Sequence, residues 1–441
     1  MFYQIKGKED QRNEKSLGQM DQDCVGKENP GCLILGAILG IAVPQATGIA
    51  ILGDVFVSAL KAIAPLLVFF LVVSSLCNAG KSHGGVIKTV IILYMFSTVL
   101  AAVIAVFASM AFPVKMTLAN AATDTSAPQG IVEVLNNLLL NVVANPVSSL
   151  VNANYVGILM WAVLLGLAFR AADKMTKKVL ADVADGISMV VTWIINLAPF
   201  GIFGLVFNTV STNGLDIFTT YGKLLLLLVG CMLFIYFVTN PLLVYWCIRQ
   251  NPYPLIFHCL KRSALTAFFT RSSAANIPVN MKVCEEMGLD RDTYSVTIPL
   301  GATINMDGAA ITITVMTMAT AFTLGIHVDI PTAIILSLLA ALSACGASGV
   351  AGGSLLLIPM ACSLFGISDD ISMQVVAVGF IIGVVQDSVE TALNSSSDLL
   401  LSASAEFRQW RLEGKGLNLN KIAMSETVVR YGRPFFYKAQ L

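Results

Sequence analysis

Residues 330–368 read IPTAIILSLLAALSACGASGVAGGSLLLIPMACSLFGIS, an uncharged run long enough to cross a membrane yet broken at its centre. The break is Ala344-Cys-Gly-Ala-Ser-Gly-Val-Ala-Gly-Gly-Ser354. Each glycine inside a helix costs about 1 kcal/mol relative to alanine, so a cluster of them ends a helix. The flanks, Pro331–Ser343 and Leu355–Phe365, reach only about 15–20 Å each at the helical rise. A crossing needs about 20 apolar residues to cover the ~30 Å hydrocarbon layer. Neither half spans, so the segment enters and leaves the membrane on one side. The same reasoning applies to Leu255–Met287, broken at Thr270-Arg-Ser-Ser-Ala-Ala-Asn276. The chain therefore carries two re-entrant hairpins.

Composition makes lipid the solvent around them. Of 441 residues, 56% are hydrophobic and 12% charged, with a mean hydropathy of +0.77. Soluble domains carry about 25% charged residues, which form the shell around their core. That shell is missing here. Formal net charge is zero, which offers nothing to nucleic acid. The nine cysteines are scattered without metal-ligand spacing, and His83, His258 and His327 stand alone, so zinc chemistry is not expected.

Spans are expected at Gly31–Gly53, Ala62–Gly80, Thr89–Val114, within Val134–Phe169, Met189–Leu215, Leu224–Ile248, Tyr294–Leu324 and Ile371–Ser404. That makes an all-α membrane protein of about eight transmembrane helices plus the two hairpins. Lys and Arg favour cytoplasmic loops. They crowd the N-tail, Lys81/Lys88, Arg170–Lys178, Arg249–Arg262, Lys282/Arg291 and the C-tail. Both termini are thus expected in the cytoplasm, with residues 1–30 and 406–441 as tails. Hairpin followed by interrupted span occurs twice from opposite sides. Such an inverted repeat places a site near the midplane.

Charges in apolar helices need a reason, since each costs at least about 2.5–3.5 kcal/mol on insertion scales. Asp387, Glu390, Thr391, Asn394 and Asp398 fall within roughly a 100° arc of one helix. Polar glue between helices is the plain alternative. Three carboxylates on one face exceed that need and suit an ammonium or a hard cation. The segment Gly301-Ala-Thr-Ile-Asn-Met-Asp-Gly308 would loosen a helix and offer carbonyls with Asn305 and Asp307 as oxygen ligands. The hairpin tips, at Arg271-Ser272-Ser273 and Gly346–Gly353, offer bare N–H groups to a carboxylate.

These elements together, Arg271-Ser-Ser, Asn305-Met-Asp-Gly308, the glycine-rich second tip and Asp387-x-x-Glu-Thr-x-x-Asn-x-x-x-Asp398, resemble the dicarboxylate/amino acid:cation symporters of the glutamate-transporter fold. Phe268 to Ser404 looks most like the family's bacterial branch that couples sodium to serine and threonine. The resemblance implies a homotrimer in the cell inner membrane, with a scaffold over about 31–252 to which the third helix is an exception. A transport core over 253–405 would move like an elevator. It implies substrate contacts at Ser272, Ser273, Gly349, Asp387, Glu390, Thr391 and Asn394. For Na⁺ it implies Gly301, Asn305, Asn394 and Asp398, then Asp307 with Tyr94, Ser97 and Thr98, then backbone near Thr303 and Ala344–Ala347. Family members that carry acidic substrates place an arginine where Glu390 stands and a threonine where Ala309 stands. A glutamate there would repel a substrate carboxylate and accept a hydrogen bond from a hydroxyl. Three rivals are the same fold carrying a dicarboxylate or another neutral amino acid, an intramembrane aspartyl hydrolase using Asp307 and Asp387, and a passive channel.

Overall fold

The computed structural model describes residues 31–32, 34–78, 85–118, 140, 143–214, 217–347 and 352–415. Residues 34–42 form α1, which stops before Pro44; a short 3₁₀ turn then leads into α2, Ala50–Asn78. The helix α2 keeps Asp54 and Lys61 within its length, which corrects the expected spans Gly31–Gly53 and Ala62–Gly80. Proline, not charge, marks the boundary between the first two helices, because Pro lacks an N–H and restricts the residue before it. After α3 (Gly85–Ala111) come α4 (Pro146–Val151) and α5 (Tyr155–Phe169). The expected span 189–215 divides at Leu197-Ala-Pro199 into α6 (Lys174–Asn196) and α7 (Ala198–Asn213). Asp173 caps α6 by accepting from the Thr176 N–H at 2.8 Å, and that bond holds its carboxyl below the ordinary range.

The next span, α8 (Ile217–Phe234), passes through a π turn at Ile235–Thr239 into α9 (Asn240–Ile248). The first hairpin follows: α10 (Tyr253–Cys259), a second π turn at Leu260–Ala264, and α11 (Leu265–Thr270), then α12 (Ser273–Glu286). Arg262 and Glu286 join its two arms at 2.6 Å. The interrupted span is α13 (Arg291–Ile304) and α14 (Asp307–Thr323). The second hairpin has α15 (Ile330–Ala344) as its first arm and α16 (Ile358–Ser363) in its return, with Ser343 Oγ 3.5 Å from Met360 Sδ across the arms. The last helix, α17, runs unbroken from Asp369 to Leu412, past the expected end at Ser404.

Among the described residues six helical spans are long and apolar enough to cross a membrane, and α5, α7 and α15 are shorter apolar helices. In the most apolar stretch of α17, 83% of residues are buried, against 17% for α6. The protein is therefore organised around α17, while α6 presents its surface outward. Two groups of helices result. In one, α2 packs on α5, α6 and α7; in the other, α3, α8 to α14 and α16 pack on α17, and α15 packs on α3 and α14. Close approach within the first group needs glycine. A Cβ on Gly204 of α7 would come within 2.5 Å of the Gly53 backbone on α2. Small residues let helices pack tightly in lipid, where van der Waals contact drives association.

Candidate functional site

The site forms where α17, the break between α13 and α14, and the hairpin tips meet. Asn305 and Met306 leave helical geometry (φ −97°, ψ 81° and φ −121°, ψ 52°), which ends α13 and lets α14 begin at Asp307. An aspartate at the first position of a helix complements the positive end of its dipole. Its side chain is held from α3: Ser97 Oγ donates to Asp307 Oδ2 at 2.7 Å and Thr98 Oγ1 to Oδ1 at 3.1 Å. Thr98 also accepts from the Met306 N–H at 3.3 Å. Asp307, Ser97 and Thr98 are all fully buried.

A second cluster lies on the other side of the break. Asn305 Nδ2 donates to Asp398 Oδ1 and Ser397 Oγ, both at 2.8 Å, and to the Asn394 carbonyl at 3.3 Å. Tyr94 donates to the Asp398 carbonyl at 2.8 Å and approaches the Thr297 carbonyl at 3.3 Å. Gly301 sits so close that a Cβ there would lie 2.8 Å from Asp398 Oδ1 and 2.9 Å from the Tyr94 hydroxyl. Asn305 Oδ1 is buried with no hydrogen-bond partner among the described residues. Such an oxygen is costly to leave unmet, and a cation would satisfy it.

Further along α17 the groups bear on the hairpins. The Gly308 N–H donates to Asn394 Oδ1 at 2.7 Å. Asp387 Oδ1 accepts from the Gly352 N–H at 3.3 Å. Ser272 caps α12 by accepting from Ala275 N at 3.2 Å, beside Arg271 in the left-handed region and buried Ser273. Arg271 of the first tip and Gly352 of the second line one cleft with Asp387 and Gly383, closed on the far side by Ile195, Ala198 and Ile202. Both tips therefore open on the same acidic residue.

Glu390 is engaged within the protein. Its Oε2 accepts from Thr312 Oγ1 at 2.7 Å, Ser354 Oγ at 2.9 Å and Gln386 Nε2 at 2.5 Å. Thr391 is buried next to it. Thr303 turns its hydroxyl back to the Leu300 carbonyl at 2.7 Å, so it offers backbone and not its side chain. Gly349 lies outside the described residues.

Sequence reading missed Thr312, Ser354, Gln386 and Asn240. Gln386 stands four residues before Glu390, a same-face spacing that could have found it. Asn240 follows a π turn and precedes Pro241, a common signature of a functional site. Its Oδ1 lies 3.4 Å from Ser97 Oγ. Thr312 and Ser354 carried no local signal, since threonines and serines abound in these segments.

The donors gathered here are carboxylates, amides, hydroxyls and carbonyls, the hard oxygens that alkali cations prefer over transition metals. Among the described residues no group of three or more His, Cys, Asp or Glu is placed to hold a metal. Asp307 and Asp387 are tied to different partners, Ser97 and Thr98 in one case and Gly352 in the other.

A protein from Bifidobacterium adolescentis named serine/threonine transporter SstT is 58% identical over 386 residues, 87% of this chain and 90% of its own. Proteins of the same name from Streptococcus thermophilus (56% over 380 residues, 86% and 94%) and Streptococcus agalactiae (58% over 375 residues, 85% and 93%) are similar in extent. These relatives are transporters by name, not enzymes. The model of the sodium:dicarboxylate symporter family matches residues 31–406. With those matches and this buried, oxygen-lined site, the chain belongs to the sodium:dicarboxylate symporter family.

Proposed function

We propose that the protein takes up serine and threonine by sodium-coupled symport, in an elevator-type cycle. The observation that carries this reading is the oxygen-lined break at Asn305-Met306, set against the acidic face of α17. Asn305, Asp307 and Asp398, with Gly301, Thr303, Asn394 and the α3 residues Tyr94, Ser97 and Thr98, would hold the ions. The substrate ammonium suits Asp387, its carboxylate suits the N–H groups and Arg271 at the hairpin tips, and its hydroxyl suits Glu390. The second hairpin closes over ion and substrate together, so their affinities are reciprocally coupled. The working assembly is a homotrimer in the cell inner membrane, multi-pass with both termini cytoplasmic. In each subunit the core around α17 moves against a scaffold built on α2.

Radiolabelled L-serine uptake into proteoliposomes tests this. Accumulation only with an inward Na⁺ gradient, unaffected by excess aspartate, supports the reading. Competition by aspartate would return the dicarboxylate alternative, and serine that equilibrates without accumulating would mean a passive pore. Asp307→Asn should abolish the Na⁺ dependence of uptake. It should also diminish the stabilisation that Na⁺ confers on wild type, by about 2.7 kcal/mol for one site at one hundred times its dissociation constant. Thermal unfolding with and without Na⁺ checks the second point; an undiminished Na⁺ shift in the variant would remove Asp307 from the ion site.

A further inference from the structure

The carboxylate of Glu390 is held from three elements at once. Thr312 belongs to α14, Ser354 to the segment just after the second hairpin tip, and Gln386 to α17 one turn before Glu390. All three donate to the same oxygen, Oε2, and Gln386 Nε2 also donates to Thr312 Oγ1 at 2.8 Å. The stem is fixed as well. A Cβ on Gly308 would lie 2.9 Å from Glu390 Cγ and 3.0 Å from its Cα, so only glycine at 308 lets the glutamate lie flat against α14. Gly308 and Thr312 are one turn apart, so they present one face to the Glu390 stem and head. Thr312, Ser354, Gln386 and Glu390 are all buried. A long side chain with several rotatable bonds is thus reduced to one orientation.

We propose that Thr312, Ser354 and Gln386 are positioning residues that turn the free oxygen of Glu390 toward a β-hydroxyl of a bound neutral amino acid. This rests on the reading of Glu390 as the hydroxyl acceptor. With Oε2 filled by protein donors, Oε1 is the oxygen left for the substrate. An aliphatic side chain has no proton to offer it, and an acidic one brings a like charge. Ser354 adds a second consequence. It reaches Glu390 from the return side of the second hairpin, so the carboxylate is fully aimed only when that hairpin lies on the site. Discrimination for the hydroxyl is then completed by closure.

The test compares initial uptake of serine and alanine by the full-length protein in proteoliposomes, as the ratio of kcat/KM values. Thr312→Val keeps shape and removes one donor. It should lower the serine-to-alanine ratio about tenfold, the scale of one hydrogen bond to a charged group, with alanine uptake retained. Thr312→Ser should restore the ratio, which a merely steric role for Thr312 would not require. Gln386→Met, on a different element, should lower the ratio in the same direction and serves if Thr312→Val fails to insert. Serine and alanine uptake falling together, or an unmoved ratio in Thr312→Val and Gln386→Met, would overturn the inference. Glu390→Gln separates it from its foundation. A ratio unchanged in Glu390→Gln means that Glu390 does not see the hydroxyl at all. A ratio that collapses there but survives in Thr312→Val and Gln386→Met removes the positioning role alone.

Discussion

The first hairpin is stitched to α17 by amides and hydroxyls that have no other business, whereas the second touches the same helix through the carboxylates of the site. In the first, Asn276 Nδ2 donates to Ser263 Oγ at 2.9 Å and to Ser395 Oγ at 2.8 Å, and Asn280 Nδ2 donates to the Ser395 carbonyl at 2.8 Å. These residues are buried, and the adjoining loop is pinned where the Asp290 N–H donates to Glu406 at 2.7 Å. Opening this hairpin would strand several polar groups at once. In the second, among the described residues, the stretch just past the tip meets α17 through Gly352 to Asp387 and Ser354 to Glu390, and next to them Leu355 packs against Gly379. A substrate ammonium can take the place of Gly352 on Asp387, Thr312 and Gln386 still hold Glu390 when Ser354 leaves, and apolar contacts leave nothing unsatisfied when they part. The second hairpin is therefore the one free to act as a gate, and the first behaves as a wall.

The strongest way to break this contrast is Asn276→Ala with Asn280→Ala. Buried groups left unmet cost about 1–3 kcal/mol each, and these two share Ser395, so their effects will not add. A large drop in unfolding midpoint in detergent is expected. Ser354→Ala removes a single hydroxyl contact and should lower the midpoint far less; equal losses would erase the distinction. Gly308→Ala comes next, at about 1–3 kcal/mol for overpacking against Glu390, with serine uptake lost because the glutamate is displaced. Removal of Na⁺ and serine should then speed hydrogen exchange at 352–357 while leaving 273–280 unchanged, a local difference and not a global one. The smallest effect is expected at the ion pair between Lys61 of α2 and Asp370 of α17, 2.7 Å apart with side-chain exposures of 37% and 86%. Exposed pairs contribute about 0–1 kcal/mol and weaken with salt. Lys61→Ala should leave the midpoint nearly unchanged, and a large drop would mean the two helix groups are held together more tightly than packing indicates.

Membrane embedding, both hairpins, the helix break before Asp307 and the acidic face of α17 were all legible in the chain. Each is a local property. Hydropathy, glycine clustering and the helical repeat act over a few to twenty residues, and water or lipid enforces them wherever the segment lies. The boundary between α1 and α2 differs from the expected spans Gly31–Gly53 and Ala62–Gly80, since α2 runs through both Asp54 and Lys61. Lys61 is tolerated inside α2 because it is partly exposed and meets Asp370. The partner of each carboxylate was not local. Ser97 and Thr98 were named only through family resemblance, and in the fold they reach Asp307 across 210 and 209 residues. The grip of Thr312, Ser354 and Gln386 on Glu390 had no sequence signal beyond the spacing of Gln386. Chain pattern determined which groups would be buried. The meeting of α3, α14, α17 and the hairpins settled which bonds they make, because a buried polar group takes whatever partner the packing brings within about 3 Å.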